Sequence, residues 1–433
     1  MRTRIENVTL LTCDKDLNMY ENSSLTIEGD RIIAINQNVP YDTCIDGKNG
    51  ILLPGFINTH THLSMIPFRS LKDDLPDRLQ RFLFPLEKEA MSQDLAVASA
   101  KIGVAESLLS GVTTVYDMYY YADALATCYE EMGMRAFVAQ TIVNQNICDQ
   151  ENEQHGLDLA KKFYEKWKNH QLIHPALGPH GTTTVTEETL LDIQRFAYEN
   201  NVPVCMHVAE MDYEMSQFEK KGTSPIQYLE KLKLLNSNFV AVHVIHASEN
   251  DLDILKKHEV VVAHCVGANT KAAKGIAPLK TMIEKGICVG LGTDGPSSGN
   301  TLDLFVQMNL VAKLHKVHNH DRKLFPAKEI VQLSTFGGAH ILNLEQEIGS
   351  LEVGKKADLV LVETQSINMY PNHDPYSLLV YSANSSNVDS VWINGIIKVK
   401  NKILVDFDIN TLKADCTLKQ SEFLKKTEEL NIL

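Results

Sequence analysis

The chain has 433 residues, 44% of them hydrophobic and 22% charged, and 55 acidic against 41 basic side chains give a formal net charge of -14. These averages describe an ordinary globular protein and exclude collagen-like, disordered and membrane-embedded classes. The acidity argues against nucleic acid and anionic membrane as partners, since both need a basic face to displace counterions, so a small-molecule partner is expected.

Residues 1–54 read as short alternating strands with turn signals, as in RIENVTLLTC and SSLTIEGDRIIAIN, without helical periodicity. The rhythm then changes. Eight apolar runs of strand length follow: ILLPGFINTH, TTVYDM, RAFVAQTIV, HPALGPH, VPVCMHVAE, FVAVHVIH, VVVAHCVG and ICVGLGTDG. Helix-like segments such as 189–200 and 249–257 separate them, the pattern of a parallel sheet covered by helices, and eight such units suggest a closed (β/α)8 barrel. The β texture returns in KADLVLVETQ and VDSVWINGIIKVKNKILVD, and an amphipathic stretch, 409–430, ends the chain. The expected organisation within the α/β class is residues 1–54 and 351–433 as the two parts of a small β-sandwich, the second carrying a terminal helix, around a barrel of residues 55–350.

Cys13, Cys44, Cys128, Cys148, Cys205, Cys265, Cys288 and Cys416 form no CxxC pair, and several lie in apolar runs. They read as buried thiols of a reducing, bacterial-type cytoplasm. No stretch approaches the roughly 18 apolar residues of a membrane-spanning helix. A homo-oligomer is compatible with the sequence but not fixed by it.

Barrels of this kind carry their chemistry at the carboxyl ends of the strands. The first run ends in His60 and His62, which share one side of an extended chain and can reach one point together. Taken alone, two polar residues at a strand end explain this pair as well. Further along, however, the fifth run ends in His207 with Glu210 three residues on, the sixth in His243 and His246, and the eighth in Asp294. The fourth and seventh end in His180 and His264. Imidazole nitrogens with one carboxylate oxygen suit a divalent transition ion, most of all Zn2+, with a position left for water. His60, His62, His207 and Asp294 are the expected ligands.

PGFINTHTHLSM, MHVAE, LGTDG and PNHDPYSLLVYSA resemble the amidohydrolase superfamily, most of all its 5′-methylthioadenosine/S-adenosylhomocysteine deaminase group, and the similarity runs nearly end to end. The resemblance implies a distorted barrel with a β-sandwich built from both chain ends. It implies one metal ion, because His180 stands where two-metal members carry a bridging lysine, and it selects His243 over His246 as the catalytic histidine. It also implies hydrolytic deamination of an aminopurine nucleoside such as adenosine or 5′-methylthioadenosine. In that reaction Glu210 protonates a ring nitrogen, His243 holds or deprotonates the water, and Asp294 passes a proton to the departing ammonia. Glu87 in FPLEKE and His180 would contact the nucleoside, Glu87 through ribose hydroxyls; a solvated helix glutamate is the alternative for Glu87.

The sequence departs from the group at several places. Gln140 and the segment ICDQENEQHG lack the arginines that hold homocysteine, and DDLPDRLQRFLF lacks the group's tryptophan. HCVGANTKAAKG keeps Asn269 but has Val266, Gly267 and Ala268 in place of proline and serines. These point away from S-adenosylhomocysteine and toward a small or neutral 5′ group. Two alternatives stand beside this reading: the same machinery acting on another heterocycle such as guanine, a pterin or an s-triazine, and a non-catalytic scaffold. A deaminase of the cytidine type is excluded because its H-x-E and P-C-x-x-C signature is missing. His315, His318 and His320 are expected on a solvated helix face.

Overall fold

In the computed structural model, which describes residues 1–75 and 78–429, the apolar runs form two sheets of eight strands each. Pro76 and Asp77, within DDLPDRLQRFLF, and residues 430–433 beyond the last helix lie outside the described residues.

The chain begins with β1 (Arg2–Leu11), β2 (Met19–Glu28), β3 (Arg31–Ile35) and β4 (Thr43–Pro54). The barrel strands follow: β5 (Phe56–Thr61), β6 (Val112–Tyr119), β7 (Arg135–Ile142), β8 (Ile173–Pro179), β9 (Val204–Val208), β10 (Phe239–His243), β11 (Val261–His264) and β12 (Val289–Leu291). The last four are β13 (Leu359–Val362), β14 (Val388–Ile393), β15 (Ile396–Lys400) and β16 (Ile403–Leu404).

ILLPGFINTH, read as one strand, is two strands in different sheets. Residues 51–54 end β4 and pair with β13, while β5 starts at Phe56 and pairs with β6. Gly55 makes the passage, because a Cβ there would stand 2.1 Å from Thr113 Cγ2. Only glycine lets the backbone pass this close.

β5 to β12 pair side by side in chain order, and every pairing is parallel. The ring closes where the Asp294 N–H donates to the His60 carbonyl at 3.0 Å. Beside it the Asn58 amide donates to Thr293 Oγ1 at 2.7 Å and accepts from the Thr293 N–H at 3.0 Å. Tyr116 and Met118, Phe137 and Ala139, Val240 and Val242, one residue in two along their strands, meet in one interior cluster. That period is what a pleated strand with an enclosed face requires. Helices cover the outside: Glu187–Asn200 buries Leu190, Ile193 and Ala197, the spacing of a single helical stripe.

The second sheet draws four strands from each chain end, in the order β16-β15-β14-β13-β4-β1-β2-β3. β4 is its seam, parallel to β1 and antiparallel to β13. Ile5, Leu25, Leu52, Leu359 and Trp392 form a core of its own. The terminal helix, Ile409–Glu429, docks on the barrel side against Gln93–Leu109, with Phe423 edge-on to Phe68 at 5.0 Å.

The expectation that every cysteine is buried fails at Cys44, which is exposed on β4, where a strand of the end sheet faces solvent; Cys148 and Cys288 are half-buried. No helix among the described residues is long and apolar enough to cross a membrane.

Candidate active site

Most of the residues singled out at the strand ends come together at the carboxyl end of the barrel. His60 lies on β5 and His62 one residue beyond it, with ring centroids 4.7 Å apart. His207 on β9 brings Nε2 to 3.2 Å from His60 Nε2. Asp294, three residues after β12, sets Oδ1 at 3.2 Å from His62 Nε2 and 3.8 Å from His60 Nε2. Two overlapping triads result, His60–His62–Asp294 and His60–His207–His243, each with its ligand atoms within 4.8 Å of one another.

The other ring nitrogens explain why the Nε2 atoms face inward together. His62 Nδ1 lies 2.5 Å from the Met118 carbonyl and His207 Nδ1 2.6 Å from the His180 carbonyl. A carbonyl only accepts, so each Nδ1 carries a hydrogen and Nε2 is the nitrogen each ring turns to the cluster, the orientation a metal ligand needs. Burial holds His60 and His207 well below the ordinary imidazole range, so both rings are neutral. At His62 burial is outweighed by Asp294, whose carboxylate is itself held well below its usual range, against burial, by His62. A carboxylate that draws a proton onto a neighbouring ring at this point would draw a cation there equally well. Neutral imidazoles at His60 and His207, a His62 ring whose proton a cation would replace, and one ionised carboxylate therefore fit a zinc ion.

Glu210 and His243 stand beside this cluster. His243 ends β10, its Nδ1 2.8 Å from Asn269 Oδ1 and its Nε2 3.4 Å from Glu210 Oε1. Glu210 Oε1 also receives the Lys274 ammonium. Against burial, His243 and Lys274 hold Glu210 well below the usual carboxylate range, so it is ionised. The backbone is strained at the same place. Ala209 (φ 51°), His243 (φ 71°) and Asp294 (φ 58°) are in the left-handed region, which costs a residue with a Cβ about 1 kcal/mol or more and persists where surrounding bonds impose it. The Glu214 carboxylate imposes it at Ala209, accepting from the Ala209 and Glu210 N–H groups at 3.2 and 2.9 Å and from Thr182 Oγ1 at 2.5 Å.

A cavity of about 530 Å³ opens over the cluster, and Glu87, His180 and Glu210 line it. Glu87 is 4% exposed and accepts from the Tyr119 hydroxyl at 2.9 Å, so the reading of a solvated helix glutamate is set aside. Burial pushes it up to about 7, with the Tyr119 bond opposing. His180 Nδ1 lies 3.0 Å from Thr184 Oγ1. Gln140 spends its amide within the protein, accepting from the Ala122 N–H at 3.1 Å and donating to Asp149 Oδ2 at 3.0 Å.

Two histidines from strand ends lie elsewhere. His246 turns outward to Asp212, 3.5 Å away. His264 points away from the cluster to His315, Nε2 to Nε2 at 3.1 Å. That pairing corrects the expectation for His315, which is fully buried because its helix, Leu304–His318, turns that side onto β11; His318 and His320 are exposed as expected. Sequence reasoning missed Lys274, Glu214 and Tyr119. KAAKG carries no signal for the first, whereas Glu214, four residues after Glu210 on the turn into the next helix, is spaced to reach back to it.

The amidohydrolase family model matches residues 51–397. A 5-methylthioadenosine/S-adenosylhomocysteine deaminase of Thermoanaerobacter pseudethanolicus is 36% identical over 417 residues, covering 94% of this chain and 96% of its own. A 5′-deoxyadenosine deaminase of Methanobrevibacter smithii is 37% identical over 394 residues, 89% of this chain and 90% of its own. Among solved structures, an adenosine deaminase from Xanthomonas campestris with bound zinc superposes with a TM-score of 0.95 at 28% identity, over 98% of each chain.

Proposed function

The chain belongs to the amidohydrolase family, and we propose that it is a zinc-dependent deaminase of adenine nucleosides with a small or neutral 5′ group. Water replaces the exocyclic amine and ammonia leaves. The reading rests on the convergence of three inward Nε2 atoms, from His60, His62 and His207, with the Asp294 carboxylate. These residues would hold the ion. When bound, zinc supplies the Lewis acidity that makes water a nucleophile near neutral pH.

The remaining work falls to the chain's own groups. His243, its tautomer set by Asn269, would orient the water by accepting a hydrogen bond from it at Nε2 and would keep no proton of it. Glu210 would carry a proton to the ring nitrogen next to the carbon under attack, since addition there breaks the aromatic ring. Asp294 would pass the second proton to the leaving amine. Glu87 would accept from the ribose hydroxyls and His180 would contact the nucleoside. Gln140, a neutral amide already engaged by Ala122 and Asp149, supplies no charge for a homocysteine carboxylate, which favours a short 5′ substituent.

The same proposal takes residues 55–350 as the catalytic unit, since every group named in the site lies between positions 60 and 294, with 1–54 and 351–433 as its β companion. It also takes a reducing cytoplasm as the compartment. Ammonia release by the zinc-loaded enzyme tests the substrate. Adenosine, 5′-deoxyadenosine and 5′-methylthioadenosine should all be turned over and S-adenosylhomocysteine far more slowly. Silence on every purine, with release from a pterin or an s-triazine, would refute the assignment.

A further inference from the structure

After β11 the chain runs through the short helix Val266–Lys271 and a turn into Lys274 and Gly275. This one segment meets both proton-handling groups of the proposed site, Asn269 at His243 and Lys274 at Glu210. The turn is fixed: the Lys274 N–H donates to the Asn269 carbonyl at 2.9 Å, and Gly275 has φ +126° at a point where a Cβ would stand 2.9 Å from Ile245 Cγ2. Lys274 lines the cavity with its side chain only 19% exposed, and no step described above uses it. Its ammonium and His243 Nε2 both meet Oε1 of Glu210, which leaves Oε2 as the oxygen for proton exchange.

We propose, on the deaminase reading, that Lys274 is a positioning residue for Glu210: it grips one carboxylate oxygen so that the other starts each cycle as a bare acceptor between water and ring. The proton then leaves an O–H of the attacking water for Oε2 as the oxygen bonds to carbon, and moves from Oε2 to the ring nitrogen. Lys274 keeps its own protons throughout. A held carboxylate favours the transition state more than ground-state binding, so the effect belongs in kcat.

Lys274→Met should keep its zinc and stay folded at 25 °C, hold KM within about threefold, and lose kcat by on the order of tenfold to a hundredfold. Lys274→Arg should recover part of the loss, and Lys274→Ala should regain turnover when methylammonium is added. If Lys274→Met does not fold, Lys274→Gln, a neutral donor of similar length, is read the same way. An unchanged kcat, a loss confined to KM, or an arginine variant no better than methionine would overturn the assignment of Lys274 alone. A wild-type enzyme silent on every nucleoside would overturn the deaminase reading, and Lys274 with it.

Discussion

At the scale of single residues, the proposed ligands and the proposed proton carrier should separate in experiment. His207→Ala should lose zinc and turnover together, because it removes a lone pair that the His180 carbonyl aims at the cluster. Glu210→Gln should keep zinc by metal analysis and still lose kcat by on the order of a hundredfold or more, since an amide cannot carry a proton. These residues were legible in the sequence because each ends an apolar run, and barrel geometry turns that position into a shared point. Glu87 was named from the resemblance alone, and its burial was not legible, because Tyr119, whose hydroxyl it accepts from, lies 32 residues away in the chain. Its carboxyl, pushed by burial up to about 7, gives a pH dependence whose sign is fixed. Above about 7 it is ionised and, in the proposed role, would accept from two ribose hydroxyls; below, its proton would block one of them. kcat/KM for ribonucleosides should therefore fall as pH drops through 7, and Glu87→Gln should flatten that limb.

At the scale of elements, strand ends matter less than the loops that leave them. The turn after β9 carries Glu210, and Glu214 ties down its amides at Ala209 and Glu210. Glu214→Gln swaps a charged acceptor for a neutral one beneath two N–H groups and should cost about 1–3 kcal/mol of stability by denaturant titration. Its larger effect should be on kcat, with zinc content unchanged, because the loop moves Glu210 and not His207. Apolar runs announced the eight barrel strands, since strands buried on both faces need continuous hydrophobicity. They did not announce the break in ILLPGFINTH. Gly55 is required only because Thr113 lies against it, a tertiary fact with no local signature. Lys274 escaped for the same reason: its partner is a loop from another strand.

At the scale of the whole molecule, the two sheets are pinned on the side away from the active site. Arg135, the first residue of β7, places Nε 3.0 Å from Asp358 Oδ2 and Nη2 3.2 Å from Oδ1, just ahead of β13, and both side chains are 2% exposed. Asp358 also accepts from the Asn394 N–H at 2.7 Å, and its carbonyl accepts from the Gly55 N–H at 2.9 Å, where the chain crosses between sheets. The similar texture of the two chain ends suggested that they meet. Which residues clasp them could not be read, since an Arg and an Asp so far apart in sequence are each unremarkable alone. Asp358→Ala would leave a guanidinium buried without its counter-charge, at a cost of about 3–5 kcal/mol, whereas replacing both partners by apolar residues of similar volume, as in Arg135→Met with Asp358→Leu, should restore most of it. Because the pair lies at the amino ends of the barrel strands, the folded fraction of Asp358→Ala should keep wild-type kcat at 25 °C while its denaturant midpoint falls. A drop in kcat that tracks the drop in stability would mean that the end sheet shapes the active site as well as holding the barrel.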